Sequence, residues 1–425
     1  MSGFEKTGEM HQNRINLRFK RSLVVNNAAR QARALSYWRH CRGALGVWAM
    51  RNETGNHSAS DGLRGGGAAE GAGVPLRLAL TCHRLDVLGG RERDCLEIAR
   101  ELSALGHHVT LLTTAPPPAS PLVQSQKTYD LTVLARRGLS NHAAAKAFAR
   151  DVQEWRQDHP VDAAIGFNRM AGLDFLYAVD RPWPQHKGLK AMLPRNRAYW
   201  QLERAVYGAD QPTYVFFLAE RQSQQYVRRY ALAPERHEVL APILRSDRTA
   251  PEEFYHSRAE VRAELNIPQD HALLINVAIY GYQKGTDRAV EALASAQNTT
   301  LVSVGLKDSG RIDALAERHG VAGRVRIIGY CEELDRLIGA ADLMVHPARE
   351  ETTGSVIIES LLYGIPVIST DICGYSQHVR ISGAGCVLDE PFRTDDLGEA
   401  LRTCLEPSTL AAMRLKAQDY SAHIS

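Results

Sequence analysis

The sequence predicts an α/β protein made of two doubly wound, Rossmann-like domains facing a central cleft, and three observations predict it. From Pro75 onward, short apolar runs of strand length alternate with stretches whose apolar residues recur at helical spacing. A Gly-Gly turn, Gly89–Gly90, joins the first such strand to the first helix, as in a right-handed βαβ unit. The alternation then starts afresh near residue 270, and 425 residues suffice for two ordinary domains with an extension. The expected division is 1–74, a basic extension ending in a Gly-rich linker; 75–240, an acceptor-side domain; and 241–425, a nucleotide-binding domain.

In the first domain LRLALTC (Leu76–Cys82) reads as a buried strand. The segment after the Gly-Gly turn carries Leu96, Ile98, Ala99, Leu102 and Leu105 on one helical face, and VTLLTT (Val109–Thr114) is the next strand. VDAAIGFN (Val161–Asn168) is another strand, opening into a polar stretch that holds Asn168, Asp174 and Asp180. In the second domain HALLINVAIY, TTLVSVG, VRIIGY, DLMVHPA and IPVIST read as strands. DRAVEALASA, RIDALAERHG, ELDRLIGAA and SVIIESLLYG read as helices between them, the last ended by Gly364. Parallel sheets of this kind bind ligands at the carboxyl ends of their strands.

Composition narrows the field. A net charge of +3 is too small to imply nucleic acid by itself, and no apolar run reaches the roughly 18–20 residues that span a bilayer. Seven dispersed cysteines show neither a CxxC nor a Cys/His cluster, so no metal site is expected and reduced thiols in a cytoplasm fit best. The first fifty residues are rich in Arg and Lys and poor in acids, which suits a disordered extension or an organelle transit peptide.

Candidate chemistry concentrates in HPAREETTGSVIIES (His346–Ser360). Glu351 precedes a helix beginning near Gly354, and Glu359 lies just over one turn inside it. Thr353, Gly354 and Ser355 are small, and the N–H groups and positive dipole end of such a helix attract an anion. The two acids would then meet hydroxyls at either end of a phosphate-containing ligand; spacing alone is also explained by a capping acid and a solvated glutamate. Lys284, in GYQKG, and Arg248, in the segment joining the domains, are cations for a diphosphate leaving group. Gly90 offers a close approach before a helix, and Asp94 is either an acceptor contact or a solvated acid. Lys187, Lys190, Arg195 and Arg197, interleaved with aromatics such as Trp200, suit an anionic lipid surface; RNA would suit them too, but no RNA-binding motif accompanies them.

Together, the ordered pair Glu351/Glu359 and the Lys284–Gly285 loop resemble the GT-B, retaining family 4 glycosyltransferases. GFNRMAGLDFLYAVD, DRAVEALA, ADLMVHPA and CGYSQHV resemble, within that family, the lipopolysaccharide core glucosyltransferases that act on the first heptose. The likeness covers about Leu76 to Tyr420. It implies transfer of glucose from UDP-glucose to heptose with retained configuration, no cofactor and no metal. It also implies a cytoplasmic enzyme, peripheral on the inner face of the inner membrane, whose partners are a nucleotide sugar, a lipid-linked oligosaccharide and an anionic membrane surface, without nucleic acid. Carried over residue by residue, Glu351 would meet the donor sugar and Glu359 the ribose. Lys284 and Arg248 would hold the diphosphate, with Gly90 facing it. Asp180, Lys284 and Glu351 would form the catalytic group; Asp94, Asn168 and Asp174 would lie toward the acceptor.

The chain departs from the family pattern at Ala278 and Gln283 before the lysine, and in Ala241–Ile243 where a Pro-Gly is usual. It stops at Ser425, before the family's helix that crosses back onto the first domain. Two alternatives follow: a same-fold transferase with another donor such as GDP-mannose or another glycan acceptor, and a relative that binds nucleotide sugar or membrane without turnover.

Overall fold

The structure, a computed structural model, describes residues 75–87, 89–118, 128–242, 251–331 and 333–424. The basic extension and Arg248 lie outside these described residues.

Two parallel sheets organise the chain. The first contains β1 (Arg77–Thr81), β2 (His108–Thr113), β3 (Asp130–Val133), β4 (Ala163–Gly166), β5 (Phe175–Ala178), β6 (Tyr214–Phe217) and β7 (His237–Val239), in spatial order 3-2-1-4-5-6-7. The second contains β8 (Ala272–Val277), β9 (Thr299–Val304), β10 (Val325–Ile328), β11 (Leu343–His346), β12 (Val367–Thr370) and β13 (Gly385–Leu388), in order 10-9-8-11-12-13. Both are doubly wound: strand order reverses between β1 and β4 in one, and between β8 and β11 in the other. A crevice opens at such a reversal, outside the carboxyl ends of the strands.

Burial on both faces explains why these strands are mostly apolar without a strict alternation. In the second sheet Leu273, Ile275, Val302, Val304, Met344 and Val367 pack into one core. Their neighbours Leu274, Leu301, Leu343, Val345 and Ile368 pack into another on the opposite face. Helices cover both faces, so successive side chains of the central strands β9, β8, β11 and β12 are almost all buried.

One expectation needs correction. The stretch from Gly166 to Asp180 is not a single polar loop, because Phe175–Ala178 forms β5, buried between β4 and β6. Asp174 therefore stands at the amino end of β5, away from the crevice, and Asp180 just beyond its carboxyl end.

The last helix, Pro407–Ile424, packs on the second sheet's helices: Ser421 Oγ donates to Leu362 O at 3.1 Å, and Arg414 Nη2 lies 2.6 Å from Asp342 Oδ1. Among the described residues no helix is long and apolar enough to cross a membrane.

Candidate active site

The loops after β8 and β11 meet at the reversal point of the second sheet. Asn276, fully buried near the end of β8, donates from Nδ2 to Val345 O at 2.8 Å and accepts from Thr286 Oγ1 at 2.7 Å. This ties the helix Thr286–Ala292 to the strand and fixes the intervening loop. Gly285 turns that loop with φ +72°, and a Cβ there would lie 2.0 Å from Pro347 O, so only glycine fits.

Arg349 locks the two loops together. Its guanidinium pairs with both Asp287 oxygens at 2.7 Å and stacks 4.1 Å from the Tyr282 ring centre. Gln283, a departure from the family pattern, serves through its backbone: its carbonyl accepts from Arg349 N at 2.8 Å and Glu350 N at 3.1 Å. Any residue provides that carbonyl.

This frame brings Lys284 and Glu351 together. Lys284 Nζ donates to Glu351 Oε2 at 2.5 Å, His346 Nε2 lies 3.1 Å from the same oxygen, and Thr352 N donates to Oε1 at 3.0 Å. Burial opposes ionisation of Glu351, but hydrogen bonding from His346 and the charge of Lys284 outweigh it and hold the carboxyl down at about 2. Burial likewise opposes charging His346, and the neighbouring Cys373 thiol and Glu351 carboxylate overcome this, raising it to about 9. His346 was not among the candidates read from sequence, although it begins the quoted segment; local spacing does not tell which group its ring faces.

The helix Ser355–Leu362 begins beside this cluster. Its N-cap, Gly354, has φ +82° and makes no side-chain cap hydrogen bond to the first-turn N–H groups. Thr353 is tied in place by Tyr375 N, which donates to its carbonyl at 2.8 Å. Ser355 is exposed at the helix start, and Glu359 is half-buried within the helix.

The first sheet supplies the facing wall. A cavity of about 170 Å³ is lined by Arg181, Arg221, Gln222 and Gln225 on one side and by Glu351, Thr352 and Ile372 on the other. Ion pairs span the gap, Arg181 Nη2 to Glu350 Oε2 at 2.7 Å and Arg221 Nη1 to Asp371 Oδ2 at 2.5 Å. Gly374 closes against the first domain, where an added Cβ would lie 2.5 Å from Ala219 Cβ. Arg181 and Arg221 escaped the sequence reading because their partners lie 169 and 150 residues away.

Asp180 faces the crevice between two arginines also missed from sequence. Arg91 Nη1 is 3.7 Å from Oδ1, and Arg169 Nε is 3.5 Å from Oδ2. Arg169 is anchored by the fully buried Glu203, which also receives Arg229, the Tyr230 hydroxyl and Trp183 N. Gly90 opens the helix Gly90–Ala104, and nothing lies within 4 Å of where its Cβ would be. Asp94 accepts from Tyr177 Oη at 3.1 Å and, after burial itself, is the charge that raises the Tyr375 phenol across the crevice.

Two candidates are occupied within the fold. Asn168 Oδ1 accepts from His83 N at 2.8 Å, joining the loops after β1 and β4. Asp174 is bound by Arg156 Nη2 at 2.9 Å and Ala164 N at 2.8 Å, a structural role at the far end of β5. Lys187, Lys190, Arg195, Arg197 and Trp200 are all exposed on and beside the helices Leu189–Met192 and Pro194–Tyr207. Among them Leu189 and Met192 are 84% and 67% exposed, an apolar surface the sequence reading did not single out. Among the described residues no group of three or more His, Cys, Asp or Glu is placed to hold a metal ion.

Two facing doubly wound domains with this cluster in the crevice define a glycosyltransferase of GT-B fold. The family model described as glycosyl transferases group 1 matches residues 257–421. The chain is 33% identical over 343 residues to the lipopolysaccharide glucosyltransferase WaaG of Escherichia coli K12, covering 78% of this chain and 90% of that one. It belongs to this glycosyltransferase family. The crystal structure of WaaG, a glycosyltransferase involved in lipopolysaccharide biosynthesis, superposes with a TM-score of 0.75 at 32% identity, over 81% of this chain and 95% of that chain. Anabaena HepE, solved in complex with UDP-glucose, matches over 82% of this chain and 94% of its own with a TM-score of 0.63; at 16% identity this shows the fold alone.

Proposed function

We propose that this glycosyltransferase moves glucose from UDP-glucose to the heptose of the lipopolysaccharide inner core, with the anomeric configuration retained. The observation that carries the reading is the Lys284–Glu351 contact, whose carboxylate lines the cavity between the sheets. The similarity to WaaG supports the donor and acceptor. In this reading the diphosphate rests between Lys284 and the uncapped start of the helix Ser355–Leu362, with Gly90 opposite. Glu351 takes the glucosyl hydroxyls and Glu359 the ribose. An acceptor hydroxyl near Asp180 attacks from the face that UDP leaves, and the positive groups stabilise the departing diphosphate.

The charge on the leaving group is met by protein groups, so activity is expected to persist in a chelator. The exposed basic and apolar surface around Leu189–Met192 would dock on anionic lipid, keeping the enzyme peripheral on the cytoplasmic face of the inner membrane near a lipid-linked acceptor. Purified protein offered a panel of nucleotide sugars tests the donor: UDP release from UDP-glucose is expected, and faster turnover of GDP-mannose would replace the reading with a same-fold alternative.

A further inference from the structure

We propose that His346 is a positioning residue that keeps Glu351 oriented and ionised when Lys284 leaves it for the donor diphosphate. The inference rests on the UDP-sugar reading above and names a residue that reading does not use. Three facts motivate it. Lys284 and His346 converge on one oxygen, Oε2, at 2.5 and 3.1 Å, whereas Oε1 accepts from the Thr352 N–H at 3.0 Å. His346 is 1% exposed, so its ring approaches no ligand directly and acts through Glu351. Lys284 is 26% exposed at the end of a four-residue helical turn, so its ammonium is the mobile partner of the three.

A lysine on a flexible stem turns between two anions at little cost. A diphosphate arriving at the helix Ser355–Leu362 competes with Glu351 for that ammonium. Without a second donor, Glu351 would then be a buried carboxylate held only by a backbone N–H, a state that favours taking up a proton or swinging away. His346, rigid at the end of β11, donates from Nε2 and does not move with the ligand. Oε2 stays held, and the carboxylate keeps its remaining lone pairs toward the sugar hydroxyls. The charged or titratable groups around this pair are Lys284, from the loop after β8, Cys373, from the loop after β12, and, across the cavity that Glu351 lines, Arg181 and Arg221 of the first domain.

The test compares His346→Leu with His346→Gln, whose amide N–H reaches a similar position. With UDP-glucose, His346→Leu is expected to lower kcat about 10- to 100-fold, as a misplaced reacting group does. Its acid limb in kcat is expected to move up by more than one pH unit, and His346→Gln to recover much of both. Wild-type kcat and pH profile in His346→Leu would overturn the proposal, as would equal losses in the two variants. If His346→Leu does not fold, ¹⁵N-histidine NMR of the wild type decides: Nε2 protonated between pH 6 and 8 supports the assignment, and a bare Nε2 overturns it. Failure of the wild type to release UDP would sink the donor reading alone, because the NMR result needs no donor.

Discussion

Lys284 Nζ lies 2.5 Å from Glu351 Oε2, so the cation proposed for the donor diphosphate already rests on the carboxylate proposed for the donor sugar. One substitution therefore touches both tasks. Lys284→Ala is expected to lower kcat/KM for UDP-glucose by about 10²–10³-fold, the scale for losing one positioned charge. The acceptor KM should stay near wild type, since the acceptor is assigned to the first sheet. Steady-state kinetics with each substrate varied checks this; a loss confined to the acceptor KM would place Lys284 on the wrong ligand.

The same cluster sets a pH window for stability. Glu351 is depressed from 4.5 to about 2, so its contribution is present above 4.5 and is lost as pH falls from there toward 2. His346 is raised from 6.5 to about 9, so its contribution is present below 6.5 and is lost as pH rises through 9. The two are fully in force together between about pH 4.5 and 6.5. A thermal unfolding series should show wild-type Tm falling more steeply than that of Glu351→Gln on both sides of this window. Parallel curves would mean the cluster adds nothing to stability.

Two glycines should separate backbone strain from ligand approach. Gly285→Ala meets φ +72° and the Pro347 carbonyl at once, and should cost about 2 kcal/mol or more. Gly90→Ala meets no heavy atom within 4 Å and should keep stability within about 0.5 kcal/mol. Urea midpoints measure both. If Gly90→Ala unfolds as early as Gly285→Ala, the proposed distinction fails.

The exposed basic surface predicts salt-sensitive vesicle binding. Neutralising Lys187, Lys190, Arg195 and Arg197 together should weaken co-sedimentation with anionic vesicles by about 1 kcal/mol per charge. Leu189→Ser with Met192→Ser should weaken it further through lost apolar insertion. Binding unchanged by all six substitutions would remove this surface from the account.

Most of the second domain was legible in the sequence because both faces of its sheet are covered, which leaves apolar runs such as Leu273–Ile275 and Leu343–Val345 at the centre of its strands. The Glu351–Glu359 spacing and the Lys284–Gly285 turn were legible for a related reason, since each lies within one strand–loop–helix unit. β5 was not, because FLYA is only four residues long between two aspartates. Missing it put Asp174 and Asp180 in one loop, whereas the strand sends them to opposite ends of the sheet. The arginines across the crevice were hidden for another reason. Arg181, Arg221 and Arg169, and Arg91 in its contact with Asp180, meet partners that come near only when separate segments fold together, and no local spacing encodes that. Arg169 lies within GFNRMAGLD, so the quoted segment contained the residue but not its anchor, Glu203.

The most direct measurement is UDP release from UDP-glucose by purified wild-type protein and by Glu351→Ala, with and without a heptose-terminated lipopolysaccharide acceptor. The account predicts that wild type releases UDP, faster with acceptor, and that Glu351→Ala loses at least about 10²-fold. Wild-type release matched by Glu351→Ala, or no release from any nucleotide sugar, would contradict it.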